Sequence, residues 1–316
     1  MSAHAAVIGA GPSGFYASDR LLKDGFAVDL FDVLPTPYGL VRAGVAPDHP
    51  KIKSVTRMYE RTAQHPGFRF FGGVEFGADV TREDLLERYH ALVYAVGTPT
   101  DNRLGIPGDG RPGSIAATEF VAWYNGHPRH ADAWFDLSCS RAVVVGNGNV
   151  ALDVARMLVL GADDLAGTDT ADHALRALAT SAVTEVVVLG RRGPAQAAFT
   201  NPELRELGEI ARADVVVDPA EVELDPMSAA WLESEDASPT GRRNVAILRE
   251  YAARAPAGRS HRVELRFGWS PVEVVGGGDV GPVTGLRVER NRLEPDGRGG
   301  VRAVATGEQG EIPCGL

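Results

Sequence analysis

Two glycine-rich turns constrain the fold of this chain more than any other feature of its sequence. The first turn, at residues 9–14, has the spacing Gly-x-Gly-x-x-Gly and follows a short apolar stretch. In this motif the first glycine permits a tight turn, the second leaves room for a pyrophosphate, and the third lets the next helix pack closely. The helix N-terminus then offers free N–H groups to the phosphates. A β-α-β unit with a dinucleotide site is therefore predicted, the alternative being a glycine-rich turn of another α/β fold.

The same pattern recurs in the middle of the chain. Residues 142–145 are apolar and run into the spacing Gly-x-Gly-x-x-Ala at residues 146–151. A helical pattern continues to about Leu160, and a second apolar strand is predicted at residues 185–189. This internal repeat predicts an α/β fold with two Rossmann-like dinucleotide-binding domains.

The residues that end the second strand differ between the two units. In the first unit the residue is Asp32, and a carboxylate at this position hydrogen-bonds a ribose diol and repels a 2′-phosphate. In the second unit the position is held by Arg191 and Arg192, whose guanidinium groups favour a 2′-phosphate. Taken alone, an arginine pair is equally well explained as a solvated surface turn. In this context we predict that the first site takes FAD or NAD and that the second prefers NADP.

Composition limits the classes of protein to which the chain can belong. Its 316 residues suffice for two domains, and its formal net charge of −10 argues against general nucleic-acid or anionic-membrane binding. No apolar run approaches the ~20 residues that span a bilayer. The stretch from Met1 to Ala6 lacks the basic region of a signal peptide, so a cytoplasmic location is expected.

The cysteines and histidines show no metal or redox motif. Cys139 and Cys314 are far apart in the sequence, and the eight histidines are scattered, so no metal site is predicted. A site for FAD together with a site for NADP(H) implies a flavoprotein reductase, because nicotinamide gives a hydride to flavin, which releases electrons singly or in pairs. Since no Cys-x-x-Cys is present, electron transfer through a redox disulfide is not expected.

The segments around the two units are predicted from turn residues and periodicity. A proline- and glycine-rich loop at residues 35–50 should hold a fixed irregular shape. A charged helix is predicted at residues 51–64, followed by a strand pair at 68–71 and 74–76. Four strands are predicted between residues 263 and 306, the last two alternating like an antiparallel meander.

In these features the sequence resembles the adrenodoxin-reductase-like ferredoxin–NADP reductases, particularly the actinobacterial type. The resemblance covers essentially the whole chain, and six segments carry it: residues 7–14, 34–51, 94–97, 146–155, 190–193 and 199–207. It implies two Rossmann-like domains of the FAD/NAD(P) reductase type. It also implies electron transfer from NADPH through FAD to a ferredoxin, a small acidic iron–sulfur protein.

The resemblance also implies roles for individual residues. With Gly9 forming the turn, the FAD contacts are Gly11, Ser13, Gly14, Asp32, Leu40 and, through its backbone in a strand that passes the adenine, Phe76. The NADP contacts are Gly146, Asn147, Gly148, Asn149 and Val150 for the pyrophosphate, Arg191 and Arg192 for the 2′-phosphate, and Glu203. His49 and Glu206 match positions near the flavin–nicotinamide contact and are the candidate catalytic residues. The alternative for His49 is a hydrogen bond that stabilises its loop, and for Glu206 an exposed helix position.

The resemblance implies domain boundaries as well. Residues 1–104 would form the N-terminal part of the FAD domain, residues 105–311 the NADP domain, and residues 312–316 the start of a return to the FAD domain. Family members continue beyond this point with a Gly-Trp segment that closes the flavin site. The chain is therefore expected to be C-terminally truncated with an incomplete FAD domain, and to bind FAD weakly or not at all when expressed alone.

Two other functions remain open at this level. An electron-input flavoprotein like the small subunit of glutamate synthase would usually carry N-terminal cysteine-ligated clusters, which this sequence lacks. A truncated, non-catalytic nucleotide-binding fragment would purify without flavin colour. For a ferredoxin, the expected docking surface is a group of arginines, with a solvated face as the alternative: Arg242, Arg243, Arg249, Arg254, Arg259 and Arg262.

Overall fold

The computed structural model describes residues 3–98, 101–235, 237–278, 280–297 and 300–316. Met1 and Ser2, the first residues of the stretch on which the signal-peptide expectation rests, lie outside the described residues. The chain divides into two compact units. The first contains Met1–Asp101, Tyr124–Pro128 and Thr168–Thr170, and the second contains Asn102–Trp123, Arg129–Gly167 and Ala171–Leu316.

The first unit is built on a parallel sheet of four strands. The strands are β1 (His4–Ile8), β2 (Ala27–Asp32), β3 (Phe68–Gly72) and β4 (Ala91–Tyr94). The helices are α1 (Pro12–Lys23), α2 (Leu40–Ala43), α3 (Pro50–Lys53), α4 (Thr56–Ala63) and α5 (Arg82–Leu86). The strand order is β3-β2-β1-β4, and every pair is parallel. The carboxyl end of β1, where the first glycine turn begins, therefore lies between the ends of β2 and β4.

Strand β1 sends successive side chains to opposite faces of this sheet. Val7 packs into a cluster with Phe15 of α1, whereas Ile8 packs on the other face with Phe31. The ring of Phe15 stacks on Tyr59 of α4 with the centroids 4.7 Å apart. Burial on both faces explains why β1 is almost continuously apolar.

The helix predicted at residues 51–64 is in fact two helices, α3 and α4. Ser54 donates its hydroxyl to the carbonyl of Lys51 at 2.6 Å, and its N–H points to the carbonyls of Pro50 and Lys51. A serine hydroxyl that bonds to the carbonyl of a residue three positions earlier competes with a continuing helix. The charged pattern of the segment did not reveal this local competition.

The second unit contains the remaining elements. Its strands are β5 (Arg141–Val145), β6 (Glu185–Gly190), β7 (Ala213–Val217), β8 (His261–Phe267), β9 (Trp269–Gly276), β10 (Val283–Pro295) and β11 (Val301–Pro313). Its helices are α6 (Ala117–Tyr124, whose last residue is grouped with the first unit), α7 (Asn149–Val159), α8 (Ala162–Ala166), α9 (Asp172–Ala179), α10 (Asn201–Leu207), α11 (Pro226–Glu233) and α12 (Pro239–Ala252).

Two sheets organise this second unit. Strands β5, β6, β8 and β7 form a parallel sheet in that order, and β9, β10 and β11 form an antiparallel meander with β10 in the middle. The two sheets share an apolar cluster, in which Val187 and Leu189 of β6 pack with Leu286 and Val288 of β10. The antiparallel sheet is thereby fixed beside the strand that ends in the arginine pair.

The last described residues also belong to the second unit. Ile312 of β11 pairs with Leu286 of β10, and the carbonyl of Leu316 accepts the N–H of Val143 at 2.8 Å. This segment therefore runs along β10 and β5. The interpretation of residues 312–316 as the start of a return to the FAD domain stays a prediction.

Two candidate dinucleotide sites

The three glycines of the first turn differ in what surrounds them. Gly9 has φ +104°, and a Cβ there would overlap the carbonyl oxygen of Ala95. A Cβ on Gly14 would overlap the carbonyl oxygen of Gly9 and stand 3.3 Å from Cδ1 of Leu30. At Gly11 a Cβ would meet no heavy atom within 4 Å. Packing thus requires glycine at the first and third positions, whereas the second faces open space at the N-terminus of α1.

The carboxylate of Asp32 fixes the position of this turn. One oxygen accepts the N–H of Ala10 at 2.6 Å, and the other accepts the N–H of Leu34 at 2.8 Å. A carboxylate offers about four lone-pair positions, so two remain for hydroxyl donors of a ribose. Asp32 therefore joins the glycine turn to the end of β2 and keeps capacity for a ligand. Ser13, in the first turn of α1, is exposed.

The loop after β2 lies against the glycine turn. The N–H of Tyr38 donates to the carbonyl of Ala10 at 2.8 Å. The backbones approach so closely that a Cβ on Gly39 would be 2.8 Å from the Cα of Gly11. Tyr38 itself adopts a φ of +93°, an uncommon conformation that the surrounding contacts must hold. Leu40, the first residue of α2, follows Gly39 in the sequence and is 72% exposed.

Phe76 does not lie in a strand, so that part of the prediction is wrong. Outside the named strands it forms one isolated bridge with Val80, and its ring lies 5.4 Å from that of Tyr94. The strand pair predicted at 68–71 and 74–76 is absent because β3 pairs with β2 instead. The N–H of Val74 donates to the carbonyl of Asp32 at 2.9 Å, so the segment after β3 lies at the end of β2. A backbone contact of Phe76 with FAD stays a prediction.

His49 is held in its loop by its backbone. It precedes the first residue of α3, and its N–H donates to the carbonyl of Ala46 at 3.1 Å. Its Nε2 lies 3.8 Å from a carboxylate oxygen of Asp48. These contacts fit the loop-stabilising alternative, and the catalytic role stays a prediction.

A buried ionic network supports β2 beneath this site. The carboxylate of Asp29, which is 1% exposed, accepts two bonds from Arg69 of β3 and one from the hydroxyl of Tyr89 at 2.6 Å. Burial raises the pKa of Asp29, but the hydrogen bonds of Arg69 and Tyr89 and the charges of Arg69 and His4 outweigh it and bring this pKa below its ordinary value. The network ties β2 to β3 and so helps to position Asp32.

The second glycine turn is built in the same way. Gly146 has φ +144°, and its N–H donates to the carbonyl of Leu189 of β6 at 2.9 Å. The side chain of Asn147 covers the Cα of Gly190, where a Cβ would overlap the amide. At Gly148 a Cβ would meet no heavy atom within 4 Å. The turn is therefore tied to the end of β6 and leaves open space at the start of α7, as the first turn does at α1.

The first two residues of α7, Asn149 and Val150, differ in their surroundings. The side-chain oxygen of Asn149 accepts the N–H of Thr200, the residue before α10, at 2.8 Å. Val150 is 47% exposed. Asn149 thus fixes α10 to the glycine turn, in addition to any phosphate contact through its backbone.

Arg191 and Arg192 follow β6 directly, and their backbone is fixed. The carbonyl of Arg191 accepts the side-chain amide of Asn291 at 2.9 Å, and that of Arg192 accepts the N–H of Gly268 at 3.0 Å. Neither guanidinium forms a hydrogen bond or an ion pair with any other residue that the structure describes. Two unneutralised cations on a fixed backbone form an arrangement that suits an anion.

Glu203 and Glu206 of α10 both approach a buried arginine that the sequence analysis missed. Arg156 of α7 is 2% exposed, and its Nη1 lies 3.0 Å from Glu203 and 3.6 Å from Glu206. Its Nη2 lies 3.3 Å from Asp153. The signal was available, because Asp153 and Arg156 are charged residues three positions apart in an otherwise apolar helix. One oxygen of Glu203 is thus engaged, and its contact with NADP stays a prediction.

The arginines predicted to dock a ferredoxin are not equally free. Arg254 pairs with Glu250, Arg259 with Asp214, and Arg262 with Glu264. Arg242 donates to two backbone carbonyls. Within the described chain, the side chains of Arg243 and Arg249 have no such partner, and both are exposed on α12. The positive surface available to an acidic partner is therefore smaller than the sequence suggested.

Comparison with known proteins places these two sites in a family. Residues 3–192 match the family model described as pyridine nucleotide-disulphide oxidoreductase. The chain belongs to the pyridine nucleotide-disulphide oxidoreductases. This oxidoreductase is 49% identical over 322 residues to NADPH-ferredoxin reductase FprA of Mycobacterium leprae, covering 99% of the chain and 69% of that relative. It is 42% identical to the mitochondrial NADPH:adrenodoxin oxidoreductase of Salvelinus fontinalis, covering 98% of the chain and 63% of that relative.

A solved structure agrees with these relatives. Mycobacterium tuberculosis FprA in complex with NADPH matches the oxidoreductase with a TM-score of 0.94 and 48% identity, over 100% of this chain and 70% of that one. The predicted α/β fold with Rossmann-like domains and the predicted resemblance to the actinobacterial ferredoxin–NADP reductases are confirmed. Among the described residues, no helix combines the length and the apolar character needed to cross a membrane. A cytoplasmic location stays a prediction.

Proposed function

We propose that the chain is an NADPH–ferredoxin oxidoreductase, in which a hydride passes from NADPH to FAD and single electrons pass to an acidic ferredoxin-type iron–sulfur protein. The observation that carries this proposal is the opposite charge beside two similar glycine turns. The first turn is bound to the carboxylate of Asp32, and the second is followed by Arg191 and Arg192, whose guanidinium groups no other described residue binds. The names of the relatives, NADPH-ferredoxin reductase and NADPH:adrenodoxin oxidoreductase, support the same activity.

The residues of the first site fit the ADP half of FAD. Open space at Gly11 leaves room for a pyrophosphate at the N-terminus of α1, and Asp32 retains acceptors for a ribose. Bound FAD supplies a hydride acceptor that can release electrons one at a time. The contribution of the chain is to hold the phosphates and the ribose through the turn that Asp32 fixes.

The residues of the second site fit NADPH in the same manner. Gly148 leaves open space at the N-terminus of α7, and the arginine pair stands where the second strand of the unit ends. A phosphate forms charge-assisted hydrogen bonds with guanidinium groups, which a ribose hydroxyl cannot match in strength. The second site therefore distinguishes NADPH from NADH by the 2′-phosphate.

The two cysteines are unsuited to pass electrons. Cys139 and Cys314 are free, and both lie in the second unit. Burial raises the pKa of both thiols, that of Cys314 to about 11, so both are protonated at neutral pH. The thiolate is the reactive form of cysteine, so burial makes both thiols less reactive.

The coenzyme preference is tested with the double variant Arg191→Ala/Arg192→Ala. Each charge-assisted bond to phosphate contributes about 1.5–3 kcal/mol, so the Kd for NADP⁺ should rise by one to a few powers of ten. The Kd for NAD⁺ should stay nearly unchanged, since NAD⁺ has no 2′-phosphate. Calorimetric titration of the full chain measures both constants, and Arg176→Ala, an exposed arginine of α9, is the control. Equal affinity of the unmodified chain for NADP⁺ and NAD⁺ would contradict the proposal.

The acceptor is tested by reversing charge on α12. In a chain extended by the C-terminal segment that family members carry and loaded with FAD, Arg243→Glu/Arg249→Glu should slow NADPH-dependent reduction of an acidic ferredoxin by about tenfold at low salt, because long-range attraction sets the encounter rate. The effect should shrink as salt rises. Reduction of a small neutral dye in the same preparation is the control and should not change. An unchanged ferredoxin rate would show that this part of α12 is not the docking surface.

A further inference from the structure

A ring of three hydrogen bonds connects the arginine pair to the antiparallel sheet. The side-chain nitrogen of Asn291 donates to the carbonyl of Arg191 at 2.9 Å. The backbone N–H of Asn291 donates to the carbonyl of Gly268 at 2.8 Å, and the N–H of Gly268 donates to the carbonyl of Arg192 at 3.0 Å. Because a carbonyl can only accept, the amide of Asn291 must turn its nitrogen toward Arg191. Both arginines are thereby held through backbone atoms, and their guanidinium groups take no part.

The orientation of Asn291 is itself fixed. Its amide nitrogen makes a second bond, to the hydroxyl of Ser270 at 2.9 Å, so both amide hydrogens have acceptors. The register between β10 and β11 shifts between Glu289 and Asn291. Such an irregularity redirects the side chains next to it. The shift therefore sets the direction in which the side chain of Asn291 points from β10.

A buried carboxylate holds the residues on either side of Gly268, the glycine of the ring. Glu221, whose side chain is 4% exposed, accepts the N–H of Phe267 at 2.7 Å and the indole N–H of Trp269 at 2.9 Å. These residues flank Gly268 on both sides. Arg290, the neighbour of Asn291, donates to the carbonyl of Phe267 at 3.1 Å. The contacts of Glu221 therefore hold in place the glycine that binds Arg192.

We propose that Asn291 is a positioning residue that sets the preference for NADPH over NADH, an inference that rests on the proposed role of Arg191 and Arg192. If the backbone of the pair were free, a binding phosphate would have to order it, and that ordering costs affinity. The ring of hydrogen bonds orders this backbone before the phosphate binds, so binding does not carry the ordering cost. NADH has no 2′-phosphate and gains nothing from ordered arginines, so the benefit falls on NADPH alone.

The test compares Asn291→Ala and Asn291→Ser with the unmodified chain. Loss of one positioning hydrogen bond should raise the Kd for NADP⁺ about 3- to 10-fold and leave the Kd for NAD⁺ unchanged. The matched control is Thr306→Val. The hydroxyl of Thr306 donates to the carbonyl of Arg290 at 2.9 Å, one residue before Asn291, and does not contact the arginine pair. This control should leave both constants unchanged.

A second measurement does not depend on the coenzyme. Trypsin cleaves after Arg191 and Arg192, and a released backbone should be cut faster in Asn291→Ala than in the unmodified chain or in Thr306→Val. NADP⁺ should slow this cleavage. A common loss of NADP⁺ and NAD⁺ binding, or unchanged cleavage of a folded variant, would overturn the positioning role.

The arginine variants separate the two proposals. If Arg191→Ala/Arg192→Ala weakens NADP⁺ binding but neither Asn291 variant does, the inference about Asn291 is wrong and the proposed function stands. If the double arginine variant binds NADP⁺ as the unmodified chain does, both proposals are wrong.

Discussion

Replacing Gly14 with alanine is expected to destabilise the first unit, although alanine is the better helix former. Within a helix this exchange alone would stabilise the protein by about 0.8–1.0 kcal/mol. The Cβ, however, would overlap the carbonyl oxygen of Gly9 and stand 3.3 Å from Cδ1 of Leu30. Overpacking of this kind typically costs about 1–3 kcal/mol and occasionally more, so α1 must move away from the carbonyl of Gly9. The net effect should be a lower free energy of unfolding.

Gly11→Ala is the matched control for this experiment. Gly11 has an ordinary extended backbone, with φ −80° and ψ −174°, and its Cβ would meet no heavy atom within 4 Å. Its stability should therefore stay close to that of the unmodified chain. In a chain extended by the C-terminal segment that family members carry, the same substitution should lower the affinity for FAD, because the new methyl group occupies the space in which a pyrophosphate would lie. Flavin fluorescence quenching measures this affinity.

The location of the tryptophans makes the two effects separable. All four, Trp123, Trp134, Trp231 and Trp269, lie in the second unit. Far-ultraviolet circular dichroism follows helix loss in the whole chain, whereas tryptophan fluorescence follows the second unit. Gly14→Ala should lower the thermal transition seen by circular dichroism. An increase in that transition, as helix propensity alone would give, would contradict the close packing of α1 on β2.

The sequence predicted the two glycine turns and their strands because those features depend on neighbouring residues. A strand, a glycine turn and a helix follow one another within about 20 residues, so composition and spacing reveal them. Asp32 and Arg191 were identified for the same reason, as the residues that end the second strand of each unit. The charge of each side chain is given by its residue type, and its position in the unit follows from comparing the two repeats.

Other features depend on local competition or on distant partners. The helices α11 and α12 were not predicted, although the sequence carries signals for both: Asp225 and Ser238 cap them, and a proline follows each cap. Asn291 lies 100 positions from Arg191, so no spacing rule connects them. The burial of Arg156 depends on α10 packing against α7, which the sequence of α7 alone does not contain.

Replacing Arg156 with methionine should be among the most damaging single changes in the second unit. The side chains of Arg156 and Glu203 are 2% and 6% exposed, and the atoms Nη1 and Oε2 are 3.0 Å apart. Arg156 lies within 3.6 Å of the carboxylates of Asp153, Glu203 and Glu206, so its removal takes the cation away from a largely buried acidic group. Removing one partner of a buried ion pair typically costs about 3–5 kcal/mol. The tryptophan fluorescence transition should shift to lower temperature or denaturant concentration by a corresponding amount.

The double variant Arg156→Met/Glu203→Leu shows whether the lost charge balance causes this damage. Replacing both members of a buried pair with apolar residues is often neutral for stability. The double variant should therefore regain part of what Arg156→Met loses, but not all of it, because the carboxylate of Asp153, 3.3 Å from Arg156, remains. Glu206→Gln is the control, because the side chain of Glu206 is 48% exposed and lies farther from Arg156. An exposed pair contributes at most about 1 kcal/mol, so this control should unfold almost like the unmodified chain. If the double variant were less stable than Arg156→Met, the side chains would act through packing, and the loss of the Arg156–Glu203 ion pair would not explain the effect.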